Sequence, residues 1–267
     1  MDESAGASPV SKAPRDGSAG DANYAIIGDS YSAYRQPEPA IEAAILAALG
    51  DARTVINVGA GTGSYEPASK RVTPIEPSAS MRAQRPAERA PALDAVAEKL
   101  PFPDQHFDAA MAISTVHQWA DLHAGLSEMR RVAKGPVVIL TSDPLLIERF
   151  WLNDYAPEVL RTEARRFPGI DAITIALAGS SKVTAVMIPL NCKDGFNEAY
   201  YGRPERLLKD EARLACSSWS FIDRTLTQRY IQHLAGDLHN GGWDAVFGEL
   251  RKLPEYDGSL RLIVASP

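Results

Sequence analysis

The stretch TVINVGAGTG at residues 54–63 constrains the fold of this chain more than any other segment. Its first part, Thr54–Val58, is an apolar run with the length and composition of a buried parallel strand. Gly59, Gly61 and Gly63 follow on alternate positions. Glycine is favoured where φ is positive or where a ligand approaches the backbone closely, and open α/β sheets bind ligands at the carboxyl ends of their strands. The stretch therefore predicts a central strand that ends in a ligand-binding turn, with a ligand-free tight turn as the alternative.

Apolar runs and helical patterns alternate along the rest of the chain. A helix is predicted at Ala40–Leu49, because its apolar residues recur on one face and Gly50 ends it. Further strands are predicted at Arg71–Ile75, Asp108–Ser114, Val137–Thr141, Val183–Leu190 and Leu260–Val264, and further helices at Leu126–Val132 and Ile147–Phe167. Strands that alternate with helices predict an α/β fold whose parallel sheet carries helices on both faces.

A long segment separates the last two predicted strands. Residues 191–256 are far more than a hairpin needs, and their pattern is mostly helical. We therefore expect a helical cap inserted between the last two strands, with residues 21–190 and 257–267 forming the main domain. Residues 1–20 are rich in Ser, Ala, Gly and Pro and lack the apolar core of a signal peptide, so we expect a disordered tail.

Composition and charge argue against several classes of partner. The chain is 45% hydrophobic and 23% charged, as is ordinary for a globular protein, and its net charge of −6 disfavours nucleic acid or an anionic membrane surface. The basic cluster at residues 161–166 is interleaved with glutamates, which indicates a solvated helix face. Cys192 and Cys216 are too few for a disulfide framework, and no Cys/His spacing predicts a metal site. We expect a cytoplasmic protein, monomeric or homodimeric, without a membrane span.

Four segments in order resemble the class I S-adenosylmethionine-dependent methyltransferases: VGAGTG, IEPS, AEKLPFPDQHFD and EMRRVAKGPVVIL. Within that family, the likeness is to the ubiquinone- and menaquinone-type C-methyltransferases and to natural-product methyltransferases. It covers residues 24–142. The resemblance implies a Rossmann-like, doubly wound, mostly parallel seven-stranded sheet with an antiparallel last strand, and S-adenosylmethionine as the cofactor.

The resemblance also implies where that cofactor binds. The glycine turn would cradle its methionine part, Ala97 and Glu98 would lie against its adenine, and the strand end at Ser114 and Thr115 would border its sulfonium. Glu76 would bind the ribose, since a carboxylate can accept hydrogen bonds from both hydroxyls of a diol. An acidic residue in an ordinary surface turn is the alternative for Glu76. The predicted cofactor-binding residues are Asn57, Gly59, Ala60, Gly61, Gly63, Glu76, Pro77, Ala97, Glu98, Ser114, Thr115, Tyr24 and Tyr34.

Three features depart from the family pattern. Asn57 stands where the family usually has an acidic residue, and Val96 stands where it often has Asp. The segment between Gly63 and Glu76 is about one helical turn shorter than usual, so the helix expected to begin near Ser64 must be short. These departures keep open a protein that binds the cofactor as a scaffold without methyl transfer, such as a cyclase or a pseudo-enzyme. A nicotinamide dehydrogenase is a further alternative, but Ser64 stands in place of the third glycine of G-x-G-x-x-G.

Methyl transfer requires a nucleophile aligned with the methyl group, and a hydroxyl acceptor must also lose a proton. His117 is the predicted catalytic base, because it follows the strand whose end should border the sulfonium. A structural histidine packed beside Trp119 is the alternative. Tyr24 and Tyr34 lie in YAIIGDSYSAYR, which is predicted to form a lid whose rings face the sulfonium cation. An amphipathic helix packed on the sheet is the alternative for that segment.

Aromatic and polar residues in the second half of the chain predict an acceptor pocket. The predicted substrate-binding residues are Trp151, Asp194, Phe196, Tyr201 and Arg203. Ordinary packing of the cap is the alternative. Such residues suit a small, partly apolar molecule. We therefore expect a methyltransferase acting on such a metabolite, with O-methylation favoured and a place in secondary metabolism.

Overall fold

The computed structural model describes residues 34–267, so Tyr24 and the predicted tail at residues 1–20 lie outside the described residues. The chain forms a six-stranded sheet, a two-stranded ribbon and nine α-helices within that range. The strands are β1 Thr54–Val58, β2 Arg71–Ile75, β3 Ala109–Ile113, β4 Val137–Ser142, β5 Ser180–Ala185, β6 Ile188–Pro189, β7 Glu255–Tyr256 and β8 Leu260–Ser266. The helices are α1 Pro39–Leu49, α2 Ala79–Ala83, α3 Leu122–Val132, α4 Pro144–Ile147, α5 Pro157–Arg166, α6 Ile170–Leu177, α7 Asp210–Leu214, α8 Arg224–Asn240 and α9 Gly242–Phe247.

The main sheet has the strand order β2-β1-β3-β4-β8-β5. Strand β1 pairs in parallel with β2 and β3, and β3 pairs in parallel with β4. Strand β8 is antiparallel to both of its neighbours, β4 and β5. The predicted α/β fold, mostly parallel with an antiparallel last strand, is confirmed.

The described sheet has six strands where seven were predicted, because residues 34–267 pair with the outer edge of β2 at one point only. Ile75 forms an isolated parallel bridge with Leu93, whose N–H donates to Pro74 O at 2.9 Å. Along an extended strand, the next donor toward β2 would be the N–H of residue 91. That residue is proline, which has no N–H to donate. The seventh strand is therefore reduced to a single bridge.

Other boundaries also differ from the predicted ones. Residues 59–70, between β1 and β2, contain turns only, so the short helix expected near Ser64 is absent. Pro67 lies within this short crossover and cannot donate a helical hydrogen bond. The helix predicted at Ile147–Phe167 is divided, because Pro157 begins α5 as a separate helix. The strand predicted at Val183–Leu190 is likewise divided into β5 and β6.

Each face of the sheet packs on its own hydrophobic core, as the alternation of side chains along a strand requires. Val55, Met111 and Val138 share one core with the buried face of α1. Ile56 and Ile139 belong to the opposite core, which is completed by α3 and α6. Both cores support the carboxyl ends of β1, β3 and β4, where the candidate site lies.

The segment predicted as a cap begins just after β6 and ends with β7. These two strands pair antiparallel, so the two ends of the segment lie side by side. Between them lie α7, α8, α9 and short 3₁₀ helices. Tyr200, Tyr201 and Trp243 of this insertion are fully buried in the same core as α1 and the strands. The insertion therefore shares a core with the sheet.

Candidate active site

The turn after β1 requires glycine at each of the three predicted positions. Gly59, Gly61 and Gly63 have φ angles of +74°, +51° and +89°, which side-chain-bearing residues rarely adopt. A Cβ atom on Gly59 would also overlap the side chain of Thr115, in the loop after β3. The backbone N–H groups of Gly59 and Ala60 donate to Ile75 O at 2.9 and 2.8 Å, which holds the turn against the end of β2.

Glu76, the first residue after β2, faces this turn. The side chain is buried, and its Oε2 accepts a hydrogen bond from Gly61 N–H at 2.8 Å while Oε1 accepts one from Ser78 N–H at 2.8 Å. An ionised carboxylate has about four acceptor sites. Two of them remain for ligand hydroxyls. Pro77 follows directly, and its carbonyl accepts from Arg82 Nη1 at 2.9 Å.

Asn57 presents an unused acceptor beneath the turn. It is 4% exposed, its Nδ2 donates to Glu66 Oε1 at 3.1 Å, and its Oδ1 has no hydrogen-bond partner among residues 34–267. A buried acceptor without a partner indicates a ligand or an ordered water. Glu66 in turn pairs with Arg85 at 2.8 Å. Sequence reasoning missed Glu66 and Arg85, because neither stands at a motif position.

The remaining predicted cofactor residues lie around the ends of β3 and α3. Ser114 has a φ of +52°, which is strained for a residue with a side chain. Ala97 is buried in the core beneath α3. Glu98 accepts a hydrogen bond from Asp121 N–H at 3.0 Å, at the start of that helix. Tyr34 is half-buried against the core of α1, and its carbonyl accepts from Gly195 N–H.

These residues fit S-adenosylmethionine. The glycine turn lets a ligand approach its backbone, Asn57 Oδ1 is an acceptor suited to an ammonium group, and Glu76 has acceptor sites left for ribose hydroxyls. Within residues 34–267, no group of three or more His, Cys, Asp or Glu side chains is arranged to hold a metal ion.

A cavity lies between the carboxyl ends of β3 and β4, helix α5 and the insertion. Four of the predicted site residues line it, namely Ser114, His117, Asp194 and Phe196. Its walls mix apolar side chains with charged and hydroxyl groups. The cavity begins at the loop after β3, which also contacts the glycine turn through Thr115. It therefore lies beside the candidate cofactor site.

His117 is a neutral, buried histidine in this cavity. It is 7% exposed, and its ring packs against that of Phe167 with a centroid distance of 4.2 Å and an interplanar angle of 32°. Burial, together with the nearby charges of Arg166 and Arg35, lowers the pKa of His117 to about 3. Its Nδ1 has no hydrogen-bond partner among the described residues. This ring nitrogen is therefore available to donate a hydrogen bond to a bound molecule or to accept one from it.

Helix α5 contributes a carboxylate and a guanidinium that sequence reasoning assigned to a solvated face. Arg166 is only 4% exposed, and both Glu163 and Arg166 line the cavity. Glu163 Oε2 accepts hydrogen bonds from Asn197 Nδ2 at 2.5 Å and from Ser218 Oγ at 3.1 Å. Burial raises the pKa of Glu163 above its ordinary value, against the opposing effect of these donors. Val159 and Arg166 are both buried and lie seven residues apart, so they share the face of α5 that packs inward. The alternating charges of the sequence did not reveal that face.

Three predicted substrate residues do not line this cavity: Trp151 and Tyr201 lie in the core, and Arg203 is half-buried. Trp151 Nε1 donates to Tyr201 O at 3.0 Å, and the Tyr201 hydroxyl donates to Leu253 O at 2.7 Å. Arg203 Nη2 donates to the carbonyls of Cys192 and Ala199 at 2.9 and 2.8 Å. These polar contacts therefore connect parts of the insertion to one another and, through Trp151, to the segment that precedes α5.

Replacing Glu76 with alanine is expected to weaken binding of S-adenosylhomocysteine about 10- to 100-fold, the effect of losing hydrogen bonds to a charged group. Isothermal titration calorimetry with the purified protein measures this. Glu76 precedes helix α2, and Glu88 follows it and is exposed. Glu88→Ala, which also removes one carboxylate, is therefore the matched control. An unchanged dissociation constant for Glu76→Ala would remove Glu76 from the site.

Comparison with known proteins agrees with this geometry. Residues 56–139 match the family model described as a methyltransferase domain. A solved structure from Anabaena variabilis, described as a candidate methyltransferase from an antibiotic biosynthesis pathway, is 31% identical with a TM-score of 0.82. That match covers 88% of this chain and 100% of that chain.

More distant structures also match. One is an S-adenosylmethionine-dependent methyltransferase from Thermotoga maritima, described as a possible histamine N-methyltransferase, with 18% identity, a TM-score of 0.49 and coverage of 84% of this chain and 87% of that chain. Another is geranyl diphosphate C-methyltransferase from Streptomyces coelicolor A3(2), with 16% identity and a TM-score of 0.49. That match covers 85% of this chain and 75% of that chain. No curated protein shows significant similarity to the sequence.

The match to the Anabaena protein spans most of the chain, and the methyltransferase domain includes the glycine turn and Glu76. None of the helices in the range 34–267 is both long enough and apolar enough to cross a bilayer. The chain belongs to the S-adenosylmethionine-dependent methyltransferases, whose cofactor is S-adenosylmethionine.

Proposed function

We propose that this protein transfers a methyl group to a small, partly apolar metabolite of secondary metabolism, with a hydroxyl oxygen as the favoured acceptor. The cofactor supplies an electrophilic methyl group when bound. The observation that carries the proposal is the cavity beside the predicted cofactor residues, whose walls combine apolar side chains with buried polar and charged groups. Pockets of this kind bind small molecules, since the apolar surface supplies affinity and the polar groups fix orientation.

The residues that line the cavity have different proposed roles in binding the acceptor. Ile41, Leu140 and Phe167 provide apolar surface against which a ring or a short chain can pack. His117 is neutral, so we propose that it exchanges a hydrogen bond with the acceptor hydroxyl and orients it. A histidine with a pKa of about 3 retains a proton poorly near neutral pH. The structure therefore supports a different residue as the proton acceptor.

Glu163 is the better candidate for the catalytic base. Its carboxylate lies in the cavity, two donors hold its Oε2, and burial raises the pKa of the group towards the working range of a base. Arg166 on the same helix and Arg35 oppose this rise in pKa. The other titratable groups that line the same cavity are His117, Asp194, Glu198 and Cys216.

Replacing Glu163 with glutamine is expected to lower acceptor turnover about 10²- to 10⁴-fold while S-adenosylhomocysteine binds as before. Because a base must be ionised, wild-type turnover should fall as the pH is lowered through the raised pKa of this carboxyl, and this fall should disappear in Glu163→Gln. Steady-state rates across pH measure both effects. Glu148→Gln, at an exposed site just after α4, is the control, and a wild-type rate in Glu163→Gln would exclude the carboxylate as base.

The function itself is tested with a panel of phenols, hydroxylated aromatic acids, aliphatic alcohols and amines. Each is incubated with the protein and S-adenosylmethionine, and the products are detected by their gain of one methyl group and by formation of S-adenosylhomocysteine. Methylated hydroxyl compounds support the proposal. Cofactor binding without turnover on any class favours the scaffold alternative, which Asn57 and Val96 keep open.

The proposal extends to the setting of the protein. The similar Anabaena protein comes from an antibiotic biosynthesis pathway, which supports a natural-product acceptor. The net charge of −6 supports a small-molecule partner rather than nucleic acid. A cytoplasmic location and a monomeric or homodimeric state remain part of this proposal. The insertion, predicted as a cap over the acceptor, supplies Phe196 and Asn197 to the cavity wall and so supports that role.

A further inference from the structure

Three segments that are distant in sequence meet at one buried carboxylate. Asp194, in the insertion, accepts hydrogen bonds from Arg35 Nε at 2.5 Å and from the Tyr65 hydroxyl at 2.9 Å. Tyr65 lies two residues after Gly63, the last glycine of the turn. Both Asp194 and Tyr65 are buried. A buried carboxylate is stable only with charged or hydrogen-bonding partners, so these contacts fix the three segments relative to one another.

Backbone contacts reinforce the same junction. Gly195 N–H donates to Tyr34 O at 2.8 Å, and Lys193 N–H donates to Glu38 Oε2 at 2.8 Å. Glu38 N–H donates to the Tyr65 hydroxyl oxygen at 3.2 Å. The segment at residues 34–38 therefore contacts both the insertion and the residues that follow the glycine turn.

These contacts add to the hydrogen bonds that hold the glycine turn to the end of β2 and to Glu76. Glycines with positive φ have large conformational freedom, and no helix follows the turn, because residues 59–70 form turns only. A turn that samples many conformations must be ordered when a ligand binds, and this ordering reduces affinity. Tyr65 is anchored at its hydroxyl by Asp194 and Glu38, which restricts the chain just beyond Gly63.

We propose that Asp194 is a positioning residue for the cofactor, which acts through Tyr65 to hold the glycine turn in its binding conformation. Asp194 also lines the acceptor cavity, so the same side chain joins the wall of that cavity to the cofactor turn. From the sequence, Asp194 was predicted only as a residue of the acceptor pocket. The inference depends on the cofactor site and not on the identity of the acceptor.

The test is Tyr65→Phe, which removes one hydroxyl and keeps the ring in the core. Its affinity for S-adenosylhomocysteine, measured by calorimetry, should fall about tenfold, the effect of one hydrogen bond to a charged group. Hydrogen exchange of the backbone amides at residues 59–66 in the ligand-free protein should become faster. Tyr201→Phe is the matched control, because that buried hydroxyl donates to Leu253 O elsewhere in the same core. It should change neither measurement.

A double-mutant cycle distinguishes positioning from general loss of stability. If Tyr65 and Asp194 act through their shared hydrogen bond, Tyr65→Phe combined with Asp194→Asn should weaken binding no more than the stronger single variant does. Additive losses, or equal losses in Tyr65→Phe and Tyr201→Phe, would overturn the proposal. So would an unchanged affinity and exchange rate in Tyr65→Phe; if that variant is insoluble, unchanged values in Asp194→Asn would overturn it. Wild-type binding of S-adenosylhomocysteine needs no acceptor, so absence of methyl transfer would count against the proposed function only.

Discussion

Replacing Gly61 with valine is expected to abolish binding of S-adenosylhomocysteine, with a loss of more than about 100-fold in affinity. Gly61 has a φ of +51°, which is a genuine outlier for a β-branched residue. A Cβ atom there would lie 3.3 Å from Met81 Cε, and the two γ-carbons of valine would extend further. The change would also displace the N–H that donates to Glu76 Oε2. Both the turn and its contact with Glu76 would therefore be altered.

Gly50→Val is the matched control for this experiment. Gly50 ends α1 with a φ of +53°, and a Cβ atom there has no neighbour within 4 Å. Both variants thus place a β-branched residue at a positive φ, but only Gly61→Val changes the turn. Calorimetry and thermal unfolding of both proteins separate a local effect from a global one. A well-folded Gly61→Val protein with wild-type affinity would show that the cofactor does not bind at this turn.

The strands of the sheet were predictable because their signals are local. β1 and β2 have the predicted bounds, Thr54–Val58 and Arg71–Ile75, since each is a short segment rich in β-branched residues and bounded by polar or turn residues. The missing seventh strand depends on how the chain near Leu93 meets β2. Pairing between segments that are remote in sequence is decided by tertiary contacts, which a single sequence does not reveal.

The two halves of the candidate site differ in the same way. The glycine turn and Glu76 could be predicted, because they stand at motif positions next to strand ends. The contact between Tyr65 and Asp194 spans 129 positions of sequence, and no local pattern indicates it. Tyr201 was predicted to line the acceptor pocket but lies in the core, where its hydroxyl donates to Leu253 O. An aromatic residue with a hydroxyl suits both a ligand pocket and a core. Composition alone does not distinguish the two.

Replacing Trp243 with alanine is expected to lower the free energy of unfolding by about 3–5 kcal/mol, the usual cost of truncating a buried Trp. Trp243 is fully buried in the insertion, and its ring centroid lies 5.4 Å from that of Trp151, which precedes α5. Because the insertion shares its core with the sheet, the loss should affect the whole protein. Urea unfolding followed by circular dichroism should show one transition, shifted to lower urea.

Val246→Ala is the control, since Val246 lies on the same helix, α9, and is 70% exposed. A change at such a site usually alters stability by less than about 0.5 kcal/mol. Two separate transitions in Trp243→Ala, with S-adenosylhomocysteine still bound after the first, would contradict a shared core and show that the insertion unfolds by itself. With one transition, binding should be lost together with the circular dichroism signal, because Tyr65, which follows the glycine turn, lies in that same core and donates to the buried Asp194 of the insertion.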